Sequence, residues 1–367
     1  MSSFAAGIDV GGTKVLCVLV DSSGAVVAQH KVKTGSEKTV EAVLSRVREA
    51  FAGAVSALAN KAKEGKDPEQ QQQQQQQLPK VVCVGLAVPG PVDSEKRLVH
   101  RAVNLGWHSA VDLSAFAATL SQDIKVLLTV WLFLFPTHFF FFLKKFLWLD
   151  NDANMGAYGE ATQGAGRGSR SCYAVFSGSG LGAGFLVDGE LVTGAGGVCG
   201  EIGHTCMDLR SKKAQLCGCG RRGCLETFAS KSGILGYLRH ASGPTATPTL
   251  DQLAPSWRTE MVGSKALKKA AKTDAIVDKA LKRAADALGA GVANVLTATG
   301  CDRVVVGGGL VEEIGSLWPR IISSVAAHSL AGEQHSALVF KTALGDSAVA
   351  VGAAAYAHKM MLKEEKK

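Results

Sequence analysis

The sequence predicts an α/β protein of two domains with a cleft between them. At 367 residues the chain is too long for one ordinary hydrophobic core and suits two. Hydrophobic residues at 47%, together with 42 glycines, describe buried strands and many tight turns rather than a disordered chain. Two glycine-rich patterns, at 9–14 and 178–184, each lie between strand-like runs and suggest a duplicated core.

The net charge of +8 is modest, and much of it sits in 265–282 and 359–367, where lysines alternate with acids and alanines as on a solvated helix face. Nucleic-acid binding calls for a clustered basic patch with interleaved aromatics. Neither is present, so no nucleic-acid partner is expected. The nine cysteines are unevenly spread, and the apolar run at 5–10 leaves no room for a signal peptide before it. Both point to a reduced, cytoplasmic setting.

Taken in order, residues 5–10 and 15–20 are apolar and flank Asp9-Val10-Gly11-Gly12-Thr13-Lys14. This reads as a β-hairpin whose glycines let backbone N–H groups approach an anion. Asp9 could hold a hydrated Mg²⁺, while Thr13 and Lys14 could meet phosphate oxygens; a turn without a ligand is the plain alternative. A third strand follows at 26–32. Residues 39–62 carry Val40, Val43, Leu44, Val47, Phe51, Val55 and Leu58 at helical spacing and read as an amphipathic helix. The stretch 63–77 degenerates into a glutamine run, a low-complexity surface insert that cannot bury a core. Residues 81–88 form a buried strand ending in Pro89-Gly90-Pro91, at the carboxyl end where α/β proteins place ligand loops. In Asn104-Leu105-Gly106-Trp107, Trp107 reads as core and Asn104 as a hydroxyl-binding amide.

Residues 126–149 are almost unbroken apolar sequence, rich in phenylalanine. The expected strand is 124–128, with 129–148 as extra sequence. Three readings stay open for it: a translated, pyrimidine-rich intron, a real inserted element, or a membrane anchor. The length permits a short span, but Pro136, Thr137 and His138 interrupt it, so no membrane partner is expected. Next, Asn151-Asp152-Ala153-Asn154 opens a helix. Asp150 and Asp152 are carboxylates at that helix start, and the plain reading of Asp150 is a helix cap. Residues 172–176 are a strand leading into Gly178-Ser179-Gly180 and the glycine run, with a second strand at 185–187.

The densest chemistry lies between 200 and 226, where G-E-I-G-H is followed by C-G-C-G-R-R-G-C-L-E. Cys217, Cys219, Cys224 and His204 form a full tetrahedral donor set for zinc, and Glu201 and Glu226 bracket it. A disulfide or a buried cysteine cluster is the alternative. Residues 244–257 read as an irregular surface segment, and 274–298 as a long amphipathic helix. A strand at 304–306 enters Gly307-Gly308-Gly309, and 347–361 is an alanine-rich helix expected to return to the N-terminal domain.

G-E-I-G-H with C-G-C-G-R-R-G-C-L-E resembles the signature of the ROK sugar kinases, which include bacterial-type glucokinases and N-acetylmannosamine kinases. D-x-G-G-T-K, N-D-A-N and the 178–182 run are similar to further motifs of that family in the same order, with Ser179 where the family usually has threonine. The resemblance implies a two-domain ribonuclease-H-like fold of the actin/hexokinase type. It divides the chain into an N-terminal α/β domain at 1–128, the insert at 129–148, a C-terminal α/β domain at 149–345 with the knuckle 204–224, and a returning helix at 346–367. It implies ATP-dependent phosphorylation of a hexose 6-hydroxyl, with Asp152 as base and Asn104, Asn151, Asp152, Glu201, His204 and Glu226 binding the sugar. Asp9, Gly11, Gly12, Thr13, Lys14, Gly178, Ser179, Gly180, Gly308 and Gly309 would bind ATP and Mg²⁺. His204, Cys217, Cys219 and Cys224 would hold a structural Zn²⁺. A homo-oligomer, dimer or tetramer, is expected. Glucose is the favoured sugar, with N-acetylmannosamine or another hexose as the alternative. A sugar-responsive repressor would carry a helix-turn-helix ahead of the first phosphate motif, where only residues 1–4 stand. A non-catalytic product of a disrupted gene is the remaining class.

Overall fold

The computed structural model describes residues 3–61, 80–117, 120, 147–210, 212, 214–241 and 246–366. The glutamine insert, the strand expected at 124–128 and residues 129–146 lie outside the described residues. The chain forms two compact units, Met1–Gln163 with Ser347–Lys367, and Gly164–Asp346.

The first unit is built on β1 (Ser3–Val10), β2 (Lys14–Val20), β3 (Val26–Lys33) and β4 (Lys80–Val88). A small antiparallel sheet of β5 (Val92–Asp93), β6 (Leu98–Val99) and β7 (Val111–Asp112) follows β4, and β8 (Leu147–Asn151) completes the main sheet in the order β3-β2-β1-β4-β8. β1 pairs antiparallel with β2 and parallel with β4, and β4 pairs parallel with β8. Strands β1, β2 and β4 are buried almost throughout, as strands covered on both faces must be. On the Ile8 face, α1 (Val40–Lys61) buries Val43, Val47, Phe51 and Val55. The opposite face, where Gly7 points, carries the C-terminal helix Ala348–Glu365, which also packs along α2 (Asp152–Gln163).

Leu147 and Trp148 therefore belong to the sheet rather than to an insert ending at 148. Leu147 pairs with Val84 and Trp148 with Gly85, and Leu147 and Leu149 are buried. A strand at this position needs apolar residues on its core face, and these two supply it. With β8 and α2, the first unit runs on to Gln163, past the expected boundary at 149.

The second unit repeats the plan. Its strands β9 (Ser171–Ser177), β10 (Leu181–Val187), β11 (Glu190–Leu191), β12 (Arg303–Gly307) and β13 (Val339–Lys341) are ordered β11-β10-β9-β12-β13. Antiparallel and parallel pairings fall in the same places as in the first sheet. β10 starts at Leu181, not at 185, because the antiparallel ladder from Leu181–Ser177 onward takes in the glycine run. Its core is centred on α5 (Ala275–Thr299), which follows α3 (Glu226–Ala229) and α4 (Lys231–Ala241). The segment 244–257 is not irregular surface. It contains a helix, Pro248–Leu253, and Trp257 is fully buried with its indole N–H donating to Asp251 at 2.7 Å. The Asp274 carboxylate holds that helix through the N–H groups of Thr249 and Leu250. Among the described residues, no helix is long and apolar enough to cross a membrane.

The C-terminal helix approaches its neighbours backbone to backbone. A Cβ on Gly7 would overlap the Ala350 carbonyl, and one on Gly85 the Ala353 carbonyl. Gly159 of α2 and Gly352 are matched in the same way, with a Cβ on Gly352 falling on the Met155 carbonyl. Helix propensity alone favours alanine over glycine at an interior position by ~1 kcal/mol. Overpacking a tight contact costs about 1–3 kcal/mol, occasionally more, and here the obstacle is main chain that cannot rotate away. Gly352→Ala is therefore expected to lower stability by about 1–2 kcal/mol in urea unfolding of the full chain. A neutral or stabilising result would mean that the helix is seated less tightly than this geometry requires.

Candidate active site

The parallel strands of the first sheet end on one edge. Their register runs Asp9–Ala87–Asp150 from β1 across β4 to β8, so the hairpin 11–14, the turn after Val88 and the start of α2 share the carboxyl edge. Open α/β sheets carry their ligand loops there. In the hairpin, the Gly11 N–H donates to the Lys14 carbonyl at 2.9 Å. Buried Thr34 locks the turn, its hydroxyl donating to the Gly11 carbonyl at 2.7 Å and its N–H to the Thr13 carbonyl at 3.1 Å. Asp9 is buried beneath, Thr13 is exposed, and Gly12 and Lys14 are half-buried. Gly12 lies directly against the Asn104 main chain, and Lys38 Nζ donates to the Asn104 carbonyl at 2.9 Å. The structure thus brings Asn104 to the hairpin, while neighbouring Trp107 is core.

Asn151, not Asp150, caps α2. Its Oδ1 accepts the N–H groups of Ala153 at 2.8 Å and Asn154 at 3.2 Å, and its amide donates to the Gly90 carbonyl at 2.9 Å. Asp150 is buried and accepts from the Asn151 N–H, the Asn154 amide and the Ser94 hydroxyl at 2.7, 3.0 and 3.3 Å. Burial pushes its carboxyl above the usual range, outweighing those bonds. Asp152 is the first residue of the helix and half-buried, with Oδ1 accepting the Ala153 N–H at 2.8 Å. The helix dipole favours negative charge at that position.

In the second unit, the hairpin 178–180 closes with the Gly178 N–H donating to the Gly180 carbonyl at 2.9 Å. The carbonyls of Gly178 and Ser179 accept the N–H groups of Lys231 and Ser232, which ties the hairpin to the start of α4. Gly308, at φ +90°, lies against the Ser177 backbone, with Gly309 opening the next short helix. A side chain at 308 would meet the main chain of the hairpin strand as well as unfavourable φ. Glu226 links this hairpin to the cysteine knuckle. One of its oxygens accepts the Leu181 N–H at 2.9 Å, and the other lies 3.4 Å from the Cys217 sulfur. The G-E-I-G-H loop rests on the same strand, with Gly203 against the Leu181 carbonyl and the Tyr173 hydroxyl donating to the Gly200 carbonyl at 2.8 Å. Partial burial raises the Glu201 carboxyl, and nearby Glu226 adds to the rise against the opposing pull of His204.

The four expected metal ligands meet. The donor atoms of His204, Cys217, Cys219 and Cys224 all lie within 4.8 Å of one another. His204 Nδ1 is 3.6 Å from the Cys217 sulfur, and the Cys219 and Cys224 sulfurs are 3.7 Å apart. A tetrahedral ion with bonds of about 2.3 Å to sulfur and 2.0–2.1 Å to nitrogen implies donor separations of roughly 3.5–3.8 Å. The donor set fits one such ion, and none of the cysteines is in a disulfide. The other imidazole nitrogen, Nε2, faces Glu201 at 3.9 Å.

The ROK family profile matches residues 143–360, more than half of the chain. The chain belongs to the ROK family. A glucokinase from Halalkalibacterium halodurans is 25% identical to this ROK chain over 348 residues, 94% of this chain and 92% of the relative. The crystal structure of a ROK family glucokinase from Streptomyces griseus, in complex with glucose and AMPPNP, is 28% identical with a TM-score of 0.70, covering 97% of this chain and 99% of that one. A xylose repressor from Caldicellulosiruptor bescii is 28% identical over 230 residues, 62% of this chain and 50% of the repressor. The fold of the ROK chain is the actin/hexokinase-like ATPase fold.

Several residues that shape this candidate site carry no local signal in the sequence. Thr34, Lys38 and Ser94 act on the hairpin, Asn104 and Asp150 from 23 to 66 positions away. Lys231, its ammonium pKa lowered by burial, sits where the second hairpin is tied down. Asp150 yields a test in pH. A carboxyl whose folded pKa is raised contributes stability that is fully present below the unfolded value, ~4, and is lost as pH rises through the folded value. Asp150→Asn keeps an acceptor for Asn151 and Asn154 but has no charge to desolvate. Relative to the wild type it should gain stability as pH rises from ~3 to ~7, read from urea midpoints. A difference that stays flat across that range would contradict the assigned environment.

Proposed function

We propose that this ROK chain is an ATP-dependent hexose kinase acting on the 6-hydroxyl of glucose. The observation that carries the reading is Asp152, held at the first turn of a helix capped by Asn151, on the sheet edge that also bears the hairpin 11–14. Phosphoryl transfer asks little covalent chemistry of a protein; it asks for positioning, charge stabilisation and one base. In this reading Asp152 orients the sugar hydroxyl and takes its proton as it attacks the γ-phosphoryl group of ATP. Asn104 and Asn151 offer amide partners to sugar hydroxyls. Glu201, His204 and Glu226 offer carboxylate and imidazole partners to the same hydroxyls. The hairpins at Gly11, Gly12, Thr13, Lys14 and at Gly178, Ser179, Gly180 offer N–H and hydroxyl donors, with the Lys14 ammonium, to phosphate oxygens. Gly308 and Gly309 would lie on the adenosine side of the nucleotide. Asp9 would hold Mg²⁺, whose charge would neutralise the phosphates. His204, Cys217, Cys219 and Cys224 would hold zinc, a closed four-ligand ion that supplies structure rather than catalysis. With Nδ1 committed to the metal, His204 keeps Nε2 for donation beside Glu201.

Glucose is favoured over N-acetylmannosamine by the names of the relatives, and the similarity to a xylose repressor supports a second reading as a sugar-responsive regulator. Turnover separates the two. An assay of ADP release with glucose, mannose, fructose, N-acetylglucosamine and N-acetylmannosamine should be fastest with glucose. Sugar binding without ADP release would favour the regulator. Asp152→Asn should keep sugar affinity and lower kcat about 10²–10⁴-fold, while Asp150→Asn leaves kcat within a few-fold. Equal losses at both positions would displace Asp152 from its role. Purified protein should contain about one zinc per chain by elemental analysis. Cys219→Ser should lose metal and sugar binding together, and metal-free protein of normal sugar affinity would remove the knuckle from the site.

A further inference from the structure

The two glycine hairpins assigned to phosphate differ in charge. The first, Asp9-Val10-Gly11-Gly12-Thr13-Lys14, carries its own ammonium in Lys14. The second, Gly178-Ser179-Gly180-Leu181-Gly182, carries a hydroxyl and no cation. We propose that Lys231, brought to the second hairpin by the fold, supplies that charge and binds a phosphate of the nucleotide there. The inference rests on the ATP-dependent reading above and adds to it a residue that no sequence motif marks.

The main chain sets the geometry. α4 begins against the hairpin: the N–H of Lys231 donates to the Gly178 carbonyl at 3.0 Å, and that of Ser232 to the Ser179 carbonyl at 3.1 Å. A helix start can itself serve an anion through N–H groups that lack a partner. Here the first four are occupied. Those of Lys231 and Ser232 face hairpin carbonyls, the Gly233 N–H donates to the Ser230 hydroxyl at 3.1 Å, and the Ile234 N–H donates to the Ser230 carbonyl at 2.9 Å. What this helix start can still offer a phosphate is a side chain, and the cationic one in its first turn is Lys231.

The ammonium has lost water without gaining a partner. Lys231 is half-buried, and burial lowers its pKa. Among the described residues no carboxylate pairs with it and no acceptor takes a hydrogen bond from it. The carboxylate that does reach this hairpin, Glu226, is engaged by the Leu181 N–H and lies against the Cys217 sulfur. Holding a charge out of water costs free energy until an opposite charge is supplied. The flexible lysine stem starts one hydrogen bond from Gly178, and a Cβ on Gly178 would meet nothing within 4 Å, so the space beside that glycine is open. An ammonium is a point charge that suits a phosphate oxygen, whereas a sugar hydroxyl gives it nothing to neutralise.

The test is calorimetric titration of the full chain with adenosine, with ADP and Mg²⁺, and with glucose. In the wild type ADP should bind more tightly than adenosine. Lys231→Met keeps an apolar stem and removes the charge. It should weaken ADP about 10–100-fold while the affinities for adenosine and glucose hold and the melting temperature does not fall. Lys231→Arg should restore most of the ADP affinity. On the wild-type chain, acylation of Lys231 by an amine-reactive ester, followed by peptide mass spectrometry, should slow in ADP and not in adenosine. ADP affinity in Lys231→Met equal to that of the wild type would overturn the inference and leave the kinase reading standing, as would labelling that ADP does not slow. Weaker adenosine binding in both variants would make Lys231 a support of the hairpin rather than a phosphate ligand. A wild type that binds glucose but not ADP would remove the kinase reading and this inference with it.

Discussion

Where the C-terminal helix crosses the first sheet, main chain meets main chain. Gly7 and Gly85 are partners across β1 and β4, and together they form a flat, side-chain-free strip beneath Ala350 and Ala353. Gly159 and Gly352 do the same between that helix and α2. Dispersion at such short range is strong for the area involved, and it tolerates no added atom. The consequence reaches the candidate site: α2 is clamped along its middle, so its first turn, with Asp152, is set by packing two turns away rather than by local bonds alone.

In the second unit a single carboxylate has the corresponding place. Glu226 touches the knuckle through Cys217 and the hairpin through Leu181, and the G-E-I-G-H loop leans on the carbonyl of the same Leu181. One residue of β10 thus touches both halves of the 200–226 motif. A long sequence motif with two separated blocks is what such a shared support produces, because each block is bonded to a third element.

This explains which parts were legible before the fold was known. The hairpins, the N-D-A-N helix start and the four donor residues are contiguous motifs whose chemistry is written within a few residues. Their placement required only local geometry, and the duplicated sheet order follows from the two hairpins. The start of β8 was not legible, because a long apolar run has no periodicity to mark where a strand begins; the ladder to β4 marks it at Leu147. Thr34 and Lys38 reach the hairpin and Asn104 only through the fold. Asp150 and Asn151 are adjacent and both plausible caps, and only the direction of each side chain separates them. Trp257 lies in a Pro- and Thr-rich stretch that reads as surface, yet its burial is enforced by Asp251 and Asp274.

The first unit is made of two stretches of chain separated by the whole of the second. During synthesis, at ~5–20 residues per second, residues 164–346 take about 10–40 s to emerge after Gln163. Throughout that interval the face of the sheet bearing Gly7 and Gly85 has no cover, since the helix that fits it has not been made. The second unit, continuous in sequence, has all of its elements in hand before the first receives its last helix. The order in which the two units are completed is therefore the reverse of the order in which they are begun, and the earliest strands translated are the last to be sealed.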